Sequence, residues 1–313
     1  MRHRLLLLLP APLLLSLLVA CSKTPAGPRL DLVGSSRYTS FDRILTTPGD
    51  TVTFKLYSSV RTADRLLTHV RIFVNYTPTK NPLRERADYD AVTVAANQDP
   101  ELVFLDSAMS AREFLLQTTL NARTTSGREK WRFEAEDAEG NKVSRSFQLQ
   151  LRNSDSLRLT YHRYTAQLQA PGAGGNRRSF LALLPGLTLP RFTVRTNAAA
   201  QSLIDVVYVA TRNGIVLAAP TDTIAHLAAW PARPTAFRST ALDKAGFDAA
   251  DTGQELTDLF AGNPNAPATR TAPLAKGQVY AFRTQDQKSG LFFVQEILTA
   301  PVPTVLLQVR VTK

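Results

Sequence analysis

From Thr51 onward, hydrophobic positions recur at every second residue. The segment TVTFKLYSS (51–59) alternates Val52, Phe54 and Leu56 with Thr53, Lys55 and Tyr57, and THVRIFVNY (68–76) sets Val70, Ile72 and Val74 on one face. EFLLQTTLNA (113–122), KWRFEAED (130–137) and SRSFQLQLRN (144–153) repeat the period. A period of two, broken by turn residues, marks half-buried strands. Helical periodicity is scarce here, so the strands are expected to pair into two sheets packed face to face. The polar run Arg152 to Ser156 then breaks the pattern. The expected layout is mostly β: a β-sandwich over 29–153, then a second β-rich domain over 157–313 with one or two short helices.

In the second region a β-branched run, Ile204 to Val209, leads into an Asn213-Gly214 turn and another strand. TGQELTDLFAG (252–262) reads as a helix with Thr252 as N-cap, Glu255 completing a capping box and Gly262 ending it. GQVYAFRTQDQKSGLFFVQEI (277–297) predicts a hairpin with Lys288-Ser289-Gly290 in its turn, and TVLLQVRVTK an alternating last strand. The glycine-rich QAPGAGGNRRS (169–179) lacks the order of a phosphate-cradling loop and reads as a plain connection.

Two stretches carry a resemblance. WRFEAEDAEGNKVSRSFQLQL is strand, tight turn at Glu139-Gly140-Asn141, strand. Gly140 and Asn141 both tolerate the positive φ of such turns. The stretch resembles the last hairpin of bacterial immunoglobulin-like domains, which implies a sandwich of about seven strands acting as a spacer or interaction module. A calcium site on Asp137 and Asn141 is the competing reading, but calcium takes about six to eight oxygens and this turn offers few. IDVVYVATRNGIVLAAPTD, with the late hairpin and terminal strand, resembles the C-terminal regions of surface lipoproteins from Bacteroidota. That resemblance implies a location and an architecture, and it brings no catalytic motif.

The N-terminus agrees with it. MRHRLLLLLPAPLLLSLLVACSK has basic Arg2 and Arg4, an apolar run from Leu5 to Leu18, and small residues before Cys21. This is the three-part layout of a secretory signal peptide. The run is too short, and too marked by Pro10 and Pro12, for a membrane span of about 20 residues. Leu18-Val19-Ala20-Cys21 resembles the lipobox of bacterial lipoproteins, which implies cleavage after residue 20, lipidation of Cys21 and a tether over 21–28. Each buried methylene is worth about 0.8 kcal/mol, so two or more acyl chains anchor stably where one does not. Ser22, in place of the aspartate that retains lipoproteins at the inner membrane, points to the outer membrane, on its periplasmic or surface side. Cys21 is the chain's only cysteine, so a lipidated protein would hold no disulfide.

Charge adds less. Without the signal peptide, residues 21–155 carry 19 basic and 17 acidic residues, and residues 156–313 carry 16 and 9. The basic half suggests anions as partners. Export excludes cytoplasmic nucleic acid and leaves lipopolysaccharide phosphates, acidic glycans or a plainly solvated surface. His69, His162 and His226 lack the spacing of a metal site, and the chain has no G-x-S-x-G elbow. The acidic stretch Asp243, Asp248, Asp251, Glu255 and Asp258 fits solvated turns and helix N-terminal charge. No catalytic, metal-binding or cofactor-binding residue is identified. Trp131 is expected in the core. Trp230, in the loop HLAAWPARP with His226 and Arg233 nearby, is the candidate ligand contact, with Tyr161 and Tyr164 behind it. The expected function is a membrane-anchored, non-catalytic binding or scaffolding role, with a polysaccharide or another envelope protein as partner. The alternatives are a glycan-active hydrolase with carboxylates unmarked by a motif, or a structural part of a surface assembly.

Overall fold

The computed structural model describes residues 27–46, 50–78, 101–123, 127–152, 160–172, 175, 177–195, 197–231 and 233–313. The signal peptide, Cys21, the tether to residue 26 and the boundary run from Asn153 lie outside the described residues. The protein is mostly β, as expected.

The first region is a two-sheet sandwich. β1 (Arg29–Leu32), β3 (Thr51–Ser59) and β6 (Glu113–Asn121) form an antiparallel sheet in the order β1-β3-β6. The facing sheet is ordered β2-β8-β7-β4-β5, from β2 (Arg43–Leu45), β8 (Lys142–Leu151), β7 (Gly127–Asp137), β4 (Leu67–Pro78) and β5 (Leu102–Ala111). All its pairings are antiparallel except β2 with β8. The start of the chain thus contributes one strand to each sheet, an order that suits an immunoglobulin-like sandwich. The alternation read from sequence is the burial pattern: Val52, Phe54, Leu56, Val70 and Ile72 are fully buried. Phe54 meets Phe133 edge-on at 5.0 Å, and Phe104 meets Trp131 at 5.1 Å. Such contacts add about 0.5–1.5 kcal/mol beyond the buried area.

The β7–β8 turn shows what its Asp-x-x-Gly-Asn sequence does. Gly140 has φ +80°, which suits glycine, whereas Asn141 keeps a negative φ and acts through its side chain. The buried Asp137 carboxylate accepts from the backbone N–H groups of Glu139 (3.0 Å) and Asn141 (2.9 Å) and from the Asn141 amide, and Arg65 pairs with it at 3.5 Å. These donors hold the carboxylate below the usual range against the opposing effect of burial. Oxygens already filled by N–H donors are poor calcium ligands, so the turn is closed by hydrogen bonds.

The second region holds two more sheets. One is ordered β11-β10-β12-β13, from β10 (Arg178–Ala182), β11 (Leu187–Pro190), β12 (Val206–Thr211) and β13 (Gly214–Ala218). The other is ordered β14-β15-β16-β17-β9, from β9 (Tyr161–Gln169), β14 (Ala236–Ser239), β15 (Val279–Arg283), β16 (Ser289–Leu298) and β17 (Thr304–Thr312). Four helices are described where one or two were expected: α1 (Arg191–Val194), α2 (Ala198–Gln201), α3 (Lys244–Ala249) and α4 (Gly253–Ala261). The first two are single turns, too short to show a period of 3.6. α4 has the full capping box of Thr252 and Glu255.

Ser289 and Gly290 lie inside β16, not in the hairpin turn, which runs from Thr284 to Lys288. A Cβ on Gly290 would stand 2.3 Å from both the Arg310 carbonyl oxygen and the Phe282 ring. Close packing requires this glycine, and no turn does.

The central strands of the four-stranded sheet, β10 and β12, bury apolar side chains on both faces. Phe180, Ala182, Leu187, Leu189 and Val207 join the core of the sandwich, while Leu181, Leu183, Val206 and Tyr208 join a core shared with the five-stranded sheet. On its far side, the five-stranded sheet packs Val279, Ala281, Leu291 and Phe293 against Phe247 of α3 and Leu256 and Phe260 of α4. The layers therefore run sandwich, four-stranded sheet, five-stranded sheet, helices. Continuous runs of buried residues such as SFLAL and VVYV follow from burial on both faces.

Candidate functional site

The residues singled out in HLAAWPARP take three different positions in the structure. Trp230 lies half-buried with its ring 5.4 Å from that of Phe180, at the edge of the sandwich core. His226 is exposed and caps the short 3₁₀ turn Thr223–Ala225 in the left-handed conformation, φ 53°. Tyr161 and Tyr164 are buried. Trp230 is an anchor for its loop. Trp230→Ala is expected to cost about 2–4 kcal/mol, read as an earlier midpoint in urea unfolding.

Arg233 has a different role. Its guanidinium pairs with Asp205 at 3.2 Å and also with Asp286. Asp205 is almost fully buried and accepts the Leu183 backbone N–H at 2.8 Å, while Tyr164 donates its hydroxyl to the Leu183 carbonyl. Burial pushes the Asp205 carboxyl up to about 6, despite the amide and guanidinium that favour its charged form. Burial, and then the Asp205 charge, raises the Tyr164 hydroxyl well above its usual range. Asp286 belongs to the β15–β16 turn, so Arg233 fastens that turn to the interior.

The fastened turn is one wall of a cleft of about 670 Å³. Pro234, Thr235 and Ala236 line one side, Thr284, Gln285 and Gln287 another, with Phe260 of α4 at the base. Arg238 and Arg283 enter it together. The pairings Ala236↔Arg283 and Arg238↔Ala281 put both side chains on the helix-bearing face of the sheet. Their guanidinium carbons lie 5.0 and 4.4 Å from the centre of the Phe260 ring, a cation–π arrangement that fixes both heads. Arg238 donates to the Asn263 carbonyl, and Arg283 donates Nε to the Ser289 hydroxyl at 3.4 Å. Among the described residues, neither has a carboxylate within ion-pair distance. Gln287, in the turn, sits at φ 59°, a left-handed conformation that non-glycine residues seldom take. Among the described residues, no carboxylate, histidine or cysteine lines the cleft.

A second cleft, of about 730 Å³, lies between α3, α4 and the loop after α4. Its walls are largely apolar, with Leu242, Ala249 and Leu259 among them. Its carboxylates are engaged: Glu255 accepts from the Asp251 and Thr252 amides, and Asp258 from the Gln254 side chain. Asp243 likewise caps α3 through the Gly246 amide, and Asp248 meets Lys244 and Arg310. The acidic stretch thus serves helix ends and local pairs. Among the described residues, no cluster of His, Cys, Asp or Glu could hold a metal ion, and no helix is long and apolar enough to cross a membrane.

The sequence reading missed Arg238 and Arg283 because they are 45 residues apart and lie in no motif. A signal was present: each is the one charged residue of its strand, AFRS and VYAFR.

No protein-family model matches the chain, and no curated protein sequence matches it. Solved structures similar to it include the following three. A DUF4466 family protein from the Bacteroidota bacterium Parabacteroides merdae has 10% identity and a TM-score of 0.38, covering 93% of this chain and 100% of its own. The sporulation control protein Spo0M from Bacillus subtilis has 11% identity and a TM-score of 0.24, covering 61% of this chain and 78% of its own. The soluble domain of PmoD from a Methylocystis species has 14% identity and a TM-score of 0.19, covering 40% of this chain and 90% of its own.

Proposed function

We propose that the chain is an outer-membrane lipoprotein of the Bacteroidota surface type, anchored through Cys21, that captures a glycan without transforming it. The observation that carries the binding role is the cleft around Arg238 and Arg283. It is lined by hydrogen-bonding groups held in place by a cation–π contact and an ion-paired turn. A volume of about 670 Å³ lies within the range of small-ligand sites, about 300–1,000 Å³. Hydrolysis of a glycoside needs two carboxyl groups flanking the bond, and the lining offers hydroxyls, amides and guanidiniums. The immunoglobulin-like sandwich serves as the membrane-proximal module, and the clefts lie around the helical layer, at the other end of the stack.

Two measurements test this. Cys21→Ser is expected to move the protein from the membrane fraction to the soluble one and to abolish incorporation of a labelled fatty acid. Labelling that persists in the variant would put the anchor elsewhere. Retention of the purified protein on a panel of insoluble polysaccharides, assayed together with release of reducing ends, is expected to show binding without turnover. Turnover would favour the hydrolase. Absence of retention together with a co-purifying envelope protein would favour the structural-assembly role.

A further inference from the structure

We propose that the Arg238–Phe260–Arg283 cleft is a binding site for an oxyanion carried on a saccharide, with both guanidiniums on the anionic group. This rests on the glycan-capture reading and narrows it to acidic glycans.

Three observations converge. The first is unspent donor capacity. Each guanidinium has five N–H donors, yet among the described residues Arg238 uses one nitrogen, on the Asn263 carbonyl, and Arg283 one, on Ser289. Guanidinium groups match carboxylate, sulfate and phosphate oxygens in pairs, and charge-assisted bonds of this kind are about twice as strong as neutral ones. The second is orientation. Both heads rest within 5.0 Å of the centre of one ring, so neither is free to sweep through solvent, and little ordering remains for a ligand to supply. The third is unsatisfied polarity in the same lining. Arg238 Nε and Thr235 Oγ1 are buried without a hydrogen-bond partner, and Thr235 is only 2% exposed. A buried polar atom without a partner is destabilising, and a ligand that supplies acceptors relieves it with a small side-chain adjustment.

The saccharide half of the assignment comes from the remaining walls. Gln285 and Gln287 carry amides that both donate and accept, as sugar hydroxyls require, while the Thr269 hydroxyl donates to Asp222 and the Thr284 hydroxyl accepts the Lys288 N–H, so these two add only their remaining capacity. Of the nearby acids, Asp286 pairs with Arg233, and Asp222 pairs with Arg270 and accepts from the Thr269 hydroxyl; among the described residues none reaches ion-pair distance of Arg238 or Arg283. The same oxyanion chemistry arises from a uronic-acid carboxylate, a sulfated sugar or the phosphate of a lipopolysaccharide core.

The test is a titration of the full chain, purified in mild detergent, with oligogalacturonate, a heparin oligosaccharide, a phosphorylated core oligosaccharide and a neutral glucan oligomer. The expected result is binding to at least one anionic ligand that weakens as salt is raised and falls at least tenfold in Arg238→Gln and in Arg283→Gln. Arg212→Gln, at an exposed turn remote from the cleft in the pairing order, is expected to leave it unchanged. The anionic ligand that binds identifies the source of the oxyanion. Thermal melts guard against misfolding, and Arg238→Lys, which keeps the charge but loses the fork, is expected to give an intermediate affinity. Equal loss in Arg212→Gln would reduce the effect to overall charge and overturn the site. Binding of the neutral glucan alone would overturn the oxyanion while leaving glycan capture standing. Binding of none would overturn both.

Discussion

Phe104→Ala is expected to lower the unfolding free energy by about 3–5 kcal/mol, the range for truncating a fully buried phenylalanine, and to shift the whole molecule's unfolding. Phe104 is 1% exposed and sits where the regions meet: one edge contact goes to Trp131 of the sandwich, and another, at 5.6 Å, to Phe192 of α1. Asn197 ties the same place down by donating its side-chain amide to the Val103 carbonyl at 2.7 Å. With the four-stranded sheet contributing Phe180, Leu187 and Leu189 to the sandwich core, one continuous apolar cluster spans both regions. Calorimetry is expected to give one endotherm, moved as a unit by Phe104→Ala and equally by Phe247→Ala in the distant helical layer. Two endotherms, with only the first responding to Phe104→Ala, would mean that the sandwich folds independently and acts as a hinged stalk. A single endotherm makes it a rigid mount for the helical layer.

The same interface explains what was legible in the sequence and what was not. Five strands of the sandwich, β3, β4, β6, β7 and β8, were legible because burial of one face writes a period of two, as in Val52, Phe54, Leu56 against Thr53, Lys55, Tyr57, whereas β1, β2 and β5 were not singled out. The four-stranded sheet buries residues on two faces and writes no such period, so the run Ile204 to Val209 signalled a strand without showing what covers it, and SFLAL was not singled out. The α4 helix was legible through its cap, a local event among Thr252, Glu255 and Gly262. Gly290 was misread because a glycine demanded by a neighbouring carbonyl and ring looks, in one dimension, like a glycine demanded by a turn. The cleft was illegible for a similar reason. Arg238 and Arg283 become neighbours only through the β14–β15 register, and what makes them a site is the shortage of partners around them. Arg233 was noticed for its loop, but it acts from behind the cleft wall, through Asp286 and Asp205.

Asp205 makes the stability of that wall depend on pH in an unusual direction. The carboxyl holds its proton more tightly in the folded protein, at about 6, than a free aspartate does at 3.8. Folding therefore takes up a proton between those values, and the group's contribution is full below about pH 4 and lost as pH rises through 6. The gap corresponds to a loss of about 3 kcal/mol. Other carboxylates oppose this: Asp137 and Glu136 sit below their usual range and lose stability on acidification. Subtraction isolates the contribution of Asp205. An asparagine at this position would mimic the protonated acid, so in urea unfolding from pH 4 to 7.5 the stability of the parent minus that of Asp205→Asn is expected to fall by about 3 kcal/mol, mostly between pH 4 and 6. A difference that stays flat would mean that the Leu183 amide and the Arg233 guanidinium fully offset burial and that Asp205 is charged throughout. A fall of the expected size would mean that the interior tolerates the charge at a cost near neutral pH, in exchange for a guanidinium that locks the turn carrying Asp286 against the cleft.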